Sequence, residues 1–203
     1  MTPLTAPSLA ACAALAGCAD SIRPADFGVT VDAAPSTMDA LVATGPVTTG
    51  QNADGTFTTI IDATSLEAWT YLDFATRAQA SEAGPWDLRA QRFHISVNGG
   101  TTGTGGVEVA PIAAGSLAEV TAAPATGWVA DAADGDDPNL DPDYAFERGE
   151  GWYSYDIRTH VLQPRPLVWA VRTRGGRAIK LAIERYYDAA GTPGWITFQW
   201  GPL

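Results

Sequence analysis

The sequence predicts an all-β fold of antiparallel strands with little helix, and three observations carry that expectation. Apolar and polar residues alternate with a period of two over several short runs, glycine and proline divide those runs, and a helical period is sustained nowhere beyond Leu66 to Trp69 or Pro142 to Glu147. A strand turns successive side chains to opposite faces, so period-two alternation marks a half-buried strand.

Residues from Ser21 to about Asn52 are rich in Ala, Pro and Thr with weak periodicity, which reads as a tether running into the first strands. Thr56 to Ile61 then places Phe57, Thr59 and Ile61 on one side, and Trp69 to Phe74 sets Trp69 and Tyr71 opposite Leu72 and Phe74. After Gly84-Pro85, the run Trp86 to Val97 reads as one half-buried strand with Phe93, Ile95 and Val97 on one face and Leu88, Arg92 and His94 on the other. Asn98-Gly99-Gly100 and Gly103-Thr104-Gly105-Gly106 offer the positive φ angles of a bulged reversal, after which Val107 to Ile112 resumes the sheet. Leu167 to Thr173, a two-residue turn at Gly175-Gly176 and Ala178 to Tyr187 read as a hairpin, followed by a last strand at Trp195 to Trp200.

Composition narrows the function. With 46% hydrophobic and 17% charged residues in 203, the chain has the apolar surface to fill one core. A net charge of −11 repels phosphate backbones, which argues against nucleic acid as a partner. Both cysteines, Cys12 and Cys18, fall in the first 18 residues, so no disulfide framework is expected in the folded part. Leu4 to Gly17 is small and apolar and ends in Leu15-Ala16-Gly17-Cys18, which looks like a bacterial lipobox; cleavage before Cys18 would leave a thiol for acylation. A signal of that kind opens on Lys or Arg, whereas the first basic residue here is Arg23. The expected organisation is a lipoprotein signal over 1–18, a tether with first strands over 19–52 and an all-β domain over 53–203.

Few residues offer chemistry. The glycines lack a phosphate-binding context, and with two histidines and no GxSxG no nucleophilic triad is expected. Asp131, Asp134, Asp136, Asp137, Asp141 and Asp143 cluster in a Gly/Pro-bearing loop, read as solvated. Asp137, Asn139 and Asp141 have the alternation of a calcium loop, but Pro142 stands where glycine is needed and Arg148 where glutamate is needed. His94, beside Arg92, and His160, in an expected turn between Asp156 and Pro164, are the only imidazoles. A haem-binding surface needs axial donors on an aromatic-lined face with cations or hydroxyls for the propionates. The alternatives are a strand histidine facing solvent and a turn histidine bonding its neighbours.

The run from Trp86 through Asp87, Gln91, His94 and Asn98-Gly99-Gly100 to Val109 resembles the central strand and glycine turn of the HmuY-like family. So do Trp152 to Asp156, Thr159 to Leu162, Val171-Arg172-Thr173, Lys180-Leu181 and Tyr186-Tyr187-Asp188, in matching order from Phe57 to Trp200. The resemblance implies an all-β fold, an extracytoplasmic location and haem scavenging. It also implies that one of the two iron ligands of the founding members falls at Gln91 and the other between Pro111 and Ala145, a stretch without His, Met or Cys. Neither His94 nor His160 is an inherited ligand by position.

The expectation is therefore an exported lipoprotein, lipid-anchored through Cys18 to the envelope or shed, that binds haem through His94, His160 or both and catalyses nothing. An outer-membrane receptor is an expected partner, and the membrane is met only through the anchor. The alternative is a HmuY-fold module that has lost haem ligation and binds another ligand or a protein.

Overall fold

The computed structural model describes residues 41–135 and 141–203, all within the compact unit Pro35–Leu203. The expected signal segment, Cys18, most of the tether, Asp136, Asp137 and Asn139 lie outside the described residues.

Among the described residues, twelve strands form three antiparallel sheets: β1 (Val47–Gln51), β2 (Phe57–Asp62), β3 (Thr70–Asp73), β4 (Ala78–Ala80), β5 (Leu88–Gln91), β6 (His94–Val97), β7 (Glu108–Ile112), β8 (Tyr153–Asp156), β9 (Val161–Pro164), β10 (Val168–Arg172), β11 (Ala178–Tyr187) and β12 (Pro193–Pro202). The largest sheet runs β1-β2-β12-β11-β10-β7, a second runs β4-β3-β5-β6, and β8-β9 stands as a two-stranded hairpin. Among the described residues the helical content is two single 3-10 turns, Leu117–Glu119 and Ala145–Glu147. The all-β expectation holds.

The alternation read from the sequence becomes the core. Ile61, Leu181, Ile183, Ile196 and Phe198 of the large sheet meet Leu72, Leu88, Ala90, Ile95 and Val97 of the second sheet in one cluster. Each such fully buried aliphatic side chain contributes roughly 1.5–3 kcal/mol relative to exposure. In β11 the registers slip between Ile183 and Arg185 and between Arg185 and Tyr187. An extra residue in one strand shifts its side-chain parity. Tyr186, instead of Arg185, therefore turns into the core.

Two local readings are corrected. Trp86 to Val97 is not one strand, because β5 and β6 pair antiparallel with Gln91 opposite His94 and Arg92-Phe93 form the reversal. Arg92 takes φ +53 to make that turn without glycine. The β10–β11 reversal is longer than two residues: Thr173 N–H donates to the Arg177 carbonyl, and Gly176 N–H donates to the Thr173 carbonyl. Gly176 carries the left-handed angle, φ +77, that closes this three-residue loop.

The acidic loop is also not wholly solvated. Asp131 is 2% exposed. Its Oδ2 accepts from Ser96 Oγ at 2.7 Å, Val97 N at 3.0 Å and Thr102 Oγ1 at 2.6 Å, while its Oδ1 accepts from Ala145 N at 2.7 Å. Burial raises its carboxyl above the usual 3.8. Asp87 plays a matching part, accepting from Phe74 N and Arg174 N and so tying the turns after β3 and β10 to the start of β5.

Candidate functional site

The β8–β9 hairpin is docked on β11 by a hydrogen bond of 2.9 Å from the Leu162 N–H to the Tyr187 hydroxyl oxygen. Between them opens a cleft of about 420 Å³, lined by Arg92, Phe93, Tyr153, Tyr155, His160 and Tyr186, among others. That volume falls in the range of small-molecule sites, roughly 300–1,000 Å³. The rings are set against one another: Phe93 meets Tyr153 edge-on at 5.8 Å between centroids, and Tyr186 meets Tyr187 at 5.1 Å. Burial raises the Tyr153 and Tyr186 hydroxyls above the usual 10.0, so both stay neutral in the physiological range.

His160 sits in the turn the sequence predicts. Asp156 pairs with Val161 across a four-residue loop, and the His160 N–H donates to the Asp156 carbonyl at 2.8 Å. Its φ of +58 is a left-handed angle that costs a residue with a Cβ roughly 1–2 kcal/mol. Arg77, Arg92 and His160 are the only non-glycine residues with positive φ among the described residues, and two of them line this cleft. His160 Nδ1 lies 2.7 Å from the Tyr155 hydroxyl. When Nδ1 carries the proton and donates to that oxygen, Nε2 keeps a lone pair for a metal.

His94 belongs to a different group. It opens β6, and its ring packs on Phe93 at 4.1 Å and Tyr144 at 5.1 Å between centroids. Its Nδ1 donates to Glu147 Oε1 at 3.0 Å, and its Nε2 is 4.0 Å from Asp141 Oδ2. Directly opposed residues of an antiparallel pair share a face, so His94 stands beside Gln91. Tyr144, in contact with His94, has its hydroxyl pushed up to about 12, first by burial and then by Asp141. Phe93 touches both groups, lining the cleft and packing on His94. His160 alone of the two imidazoles lines the cleft.

The tyrosines and Arg92 were missed as site residues by sequence reasoning. The Tyr186-Tyr187 doublet is a visible signal, but only the bulge in β11 and the docked hairpin bring it to His160. Among the described residues no three His, Cys, Asp or Glu side chains gather as a metal site. No helix among them is long and apolar enough to cross a membrane.

Comparison with known proteins places this architecture. The sequence model of the HmuY protein matches residues 65–200. Three crystal structures share the fold. A chain from Bacteroides vulgatus, described as an HmuY-like haem-binding protein, is 19% identical with a TM-score of 0.59, over 73% of this chain and 92% of its own. A chain from Bacteroides fragilis described as a lipoprotein is 22% identical, with a TM-score of 0.57 and coverage of 75% and 91%. The apo HmuY analog of Tannerella forsythia is 16% identical, with a TM-score of 0.59 and coverage of 71% and 94%. No curated protein matches. The chain belongs to the HmuY family.

Proposed function

We propose that this chain is an extracytoplasmic, lipid-anchored protein that binds haem without catalysis, and that His160 supplies the iron donor. One observation carries the reading: a left-handed turn residue presents an imidazole to an aromatic cleft that also holds a guanidinium. The residue types fit the group. Tyr153, Tyr155, Phe93 and Tyr186 offer ring faces and edges to a flat macrocycle, His160 Nε2 offers a nitrogen donor, and Arg92 offers a cation to a propionate. Bound iron would supply the ligation energy, and the chain's own part is to fix the imidazole through Tyr155 and shield the apolar ring. Cys18 is the proposed acylation site, and an outer-membrane receptor the proposed acceptor of cargo.

A second reading is favoured by the register of β5 and β6. His94 is the cross-strand neighbour of Gln91, where the family resemblance sets a founder ligand, and Glu147 orients its Nδ1 in the way carboxylates orient metal-bound histidines.

Haemin titration followed by the Soret band separates the readings. His160→Gly is the chosen variant because glycine adopts the positive φ without strain, so the fold is retained while the imidazole is lost. Loss of the sharpened band in His160→Gly alone supports the cleft, and loss in His94→Ala alone supports the second reading. Spectra unchanged in both variants reject histidine ligation, and a native chain that gives no sharpened band leaves a HmuY-fold module for another ligand.

A further inference from the structure

A second cleft, separate in its lining residues from the tyrosine cleft, opens where the turns after β3 and β10 approach the end of β12. It measures about 440 Å³. Phe57, Phe74, Ile179 and Trp200 line its apolar part, and Arg77 and Arg177 line it from the two turns. The rings form a ladder: Phe57 stacks on Trp200 at 4.7 Å, and Phe74 meets Trp200 edge-on at 4.8 Å between centroids. The Trp200 indole N–H donates to Thr59 Oγ1 at 2.9 Å, so the polar edge of this ring is satisfied and it offers the cleft apolar surface.

The cleft brings two cations into an acidic molecule. The chain carries 23 acidic against 12 basic residues. Arg172 pairs with Glu108 and Arg165 with Glu150, whereas Arg77 and Arg177, like several other arginines, have no carboxylate partner among the described residues. Arg77 lies over the Phe57 ring at 4.8 Å. It also holds φ +59 at the last position of a four-residue loop, the place His160 occupies in the β8–β9 loop. Glycine would serve there without strain, so the arginine sits at that angle against a backbone cost.

We propose that this cleft binds an amphipathic carboxylate, an apolar chain lying against Phe57, Phe74 and Trp200 with its carboxylate met by Arg77 and Arg177. No histidine, methionine, cysteine or tyrosine lines the cleft, so the ligand class is a metal-free organic anion. The inference is independent of the haem reading, since the two clefts share no lining residue.

Octanoate is the probe, with octan-1-ol as its uncharged counterpart, titrated into the full chain by calorimetry and by ¹⁵N-resolved NMR. The expected result is a shift of the Trp200 indole N–H and the Ile179 amide. Affinity should fall about tenfold for octan-1-ol and for the Arg77→Gln/Arg177→Gln pair, as loss of a charge-assisted contact implies. Arg77→Gly/Arg177→Gln, which relieves the left-handed angle, guards against misfolding and should bind as weakly. Octanoate that leaves Trp200 unmoved, or that binds both double variants as tightly as the native chain, overturns the proposal.

Discussion

Asp131 shows how one side chain can hold a fold together from a loop that reads as solvent. Its two oxygens accept four hydrogen bonds, from a serine and an amide of β6, a threonine of the glycine loop and an amide at the Ala145–Glu147 turn. An amide in its place would turn an N–H₂ toward at least one of those donors, leaving it unsatisfied at a cost of roughly 1–3 kcal/mol. Asp131→Asn is therefore expected to lose about 2 kcal/mol in urea denaturation. A variant as stable as the native chain would show that these donors do not depend on the carboxylate. His160 and Arg77 illustrate the opposite balance, in which a residue stays at a left-handed angle that glycine would fill more easily.

At the scale of the element, the glycine loop between β6 and β7 is a packed knot as much as a reversal. A Cβ on Gly99 would stand 2.1 Å from the Val107 carbonyl oxygen, and one on Gly103 would stand 2.1 Å from Asn98 Oδ1. Asn98 fixes the loop from inside, accepting from Gly105 N at 2.9 Å and donating to the Trp86 carbonyl at 2.8 Å. Positive φ explains Gly106, close approach explains Gly99 and Gly103, and both act at Gly100, where a Cβ would stand 1.8 Å from the Asp131 carbonyl oxygen. Gly106 has open space around it, so Gly106→Ala is expected to cost about 1 kcal/mol from its backbone angle alone. Gly99→Ala drives a Cβ into the Val107 backbone and is expected to cost about 3 kcal/mol. Thermal unfolding of the two variants measures the difference, and equal losses would contradict the close-approach account.

At the scale of the whole molecule, buried carboxylates set the pH dependence. Burial raises Asp87 and Asp131, each 2% exposed, above 3.8. A raised carboxyl means that the folded state binds protons more tightly than the unfolded one. The stability these groups contribute is present below the unfolded value and is lost as pH rises through the folded one. Hydrogen bonds lower Asp54, Asp156 and Asp188 instead, first from Thr56, Arg158 and Thr192 respectively. Their contribution is present above 3.8 and lost as pH falls below it, so the two windows meet near 3.8 without opposing one another. The net charge of −11 adds self-repulsion at neutral pH. The melting temperature is expected to be higher at about pH 5 than at about pH 7.5. A melting temperature that rises steadily toward neutrality would contradict the raised Asp87 and Asp131.

Local pattern determined the fold class, the strands β2, β3, β7, β10, β11 and β12, and the turn that carries His160. Alternation and turn residues act over a few positions, so a sequence displays them directly. It did not display the β5–β6 reversal, because Arg92-Phe93 lacks the glycine or asparagine by which two-residue turns are recognised. Nor did it display the burial of Asp131, whose partners lie up to 35 residues away. The tyrosine cleft is assembled from the β5–β6 turn, the β8–β9 hairpin and a bulge in β11, and the arginine cleft from two turns a hundred residues apart and the end of β12. Those neighbours are made by sheet pairing and hairpin docking, which join positions that no periodicity along the chain relates, and so only the tertiary structure decided them.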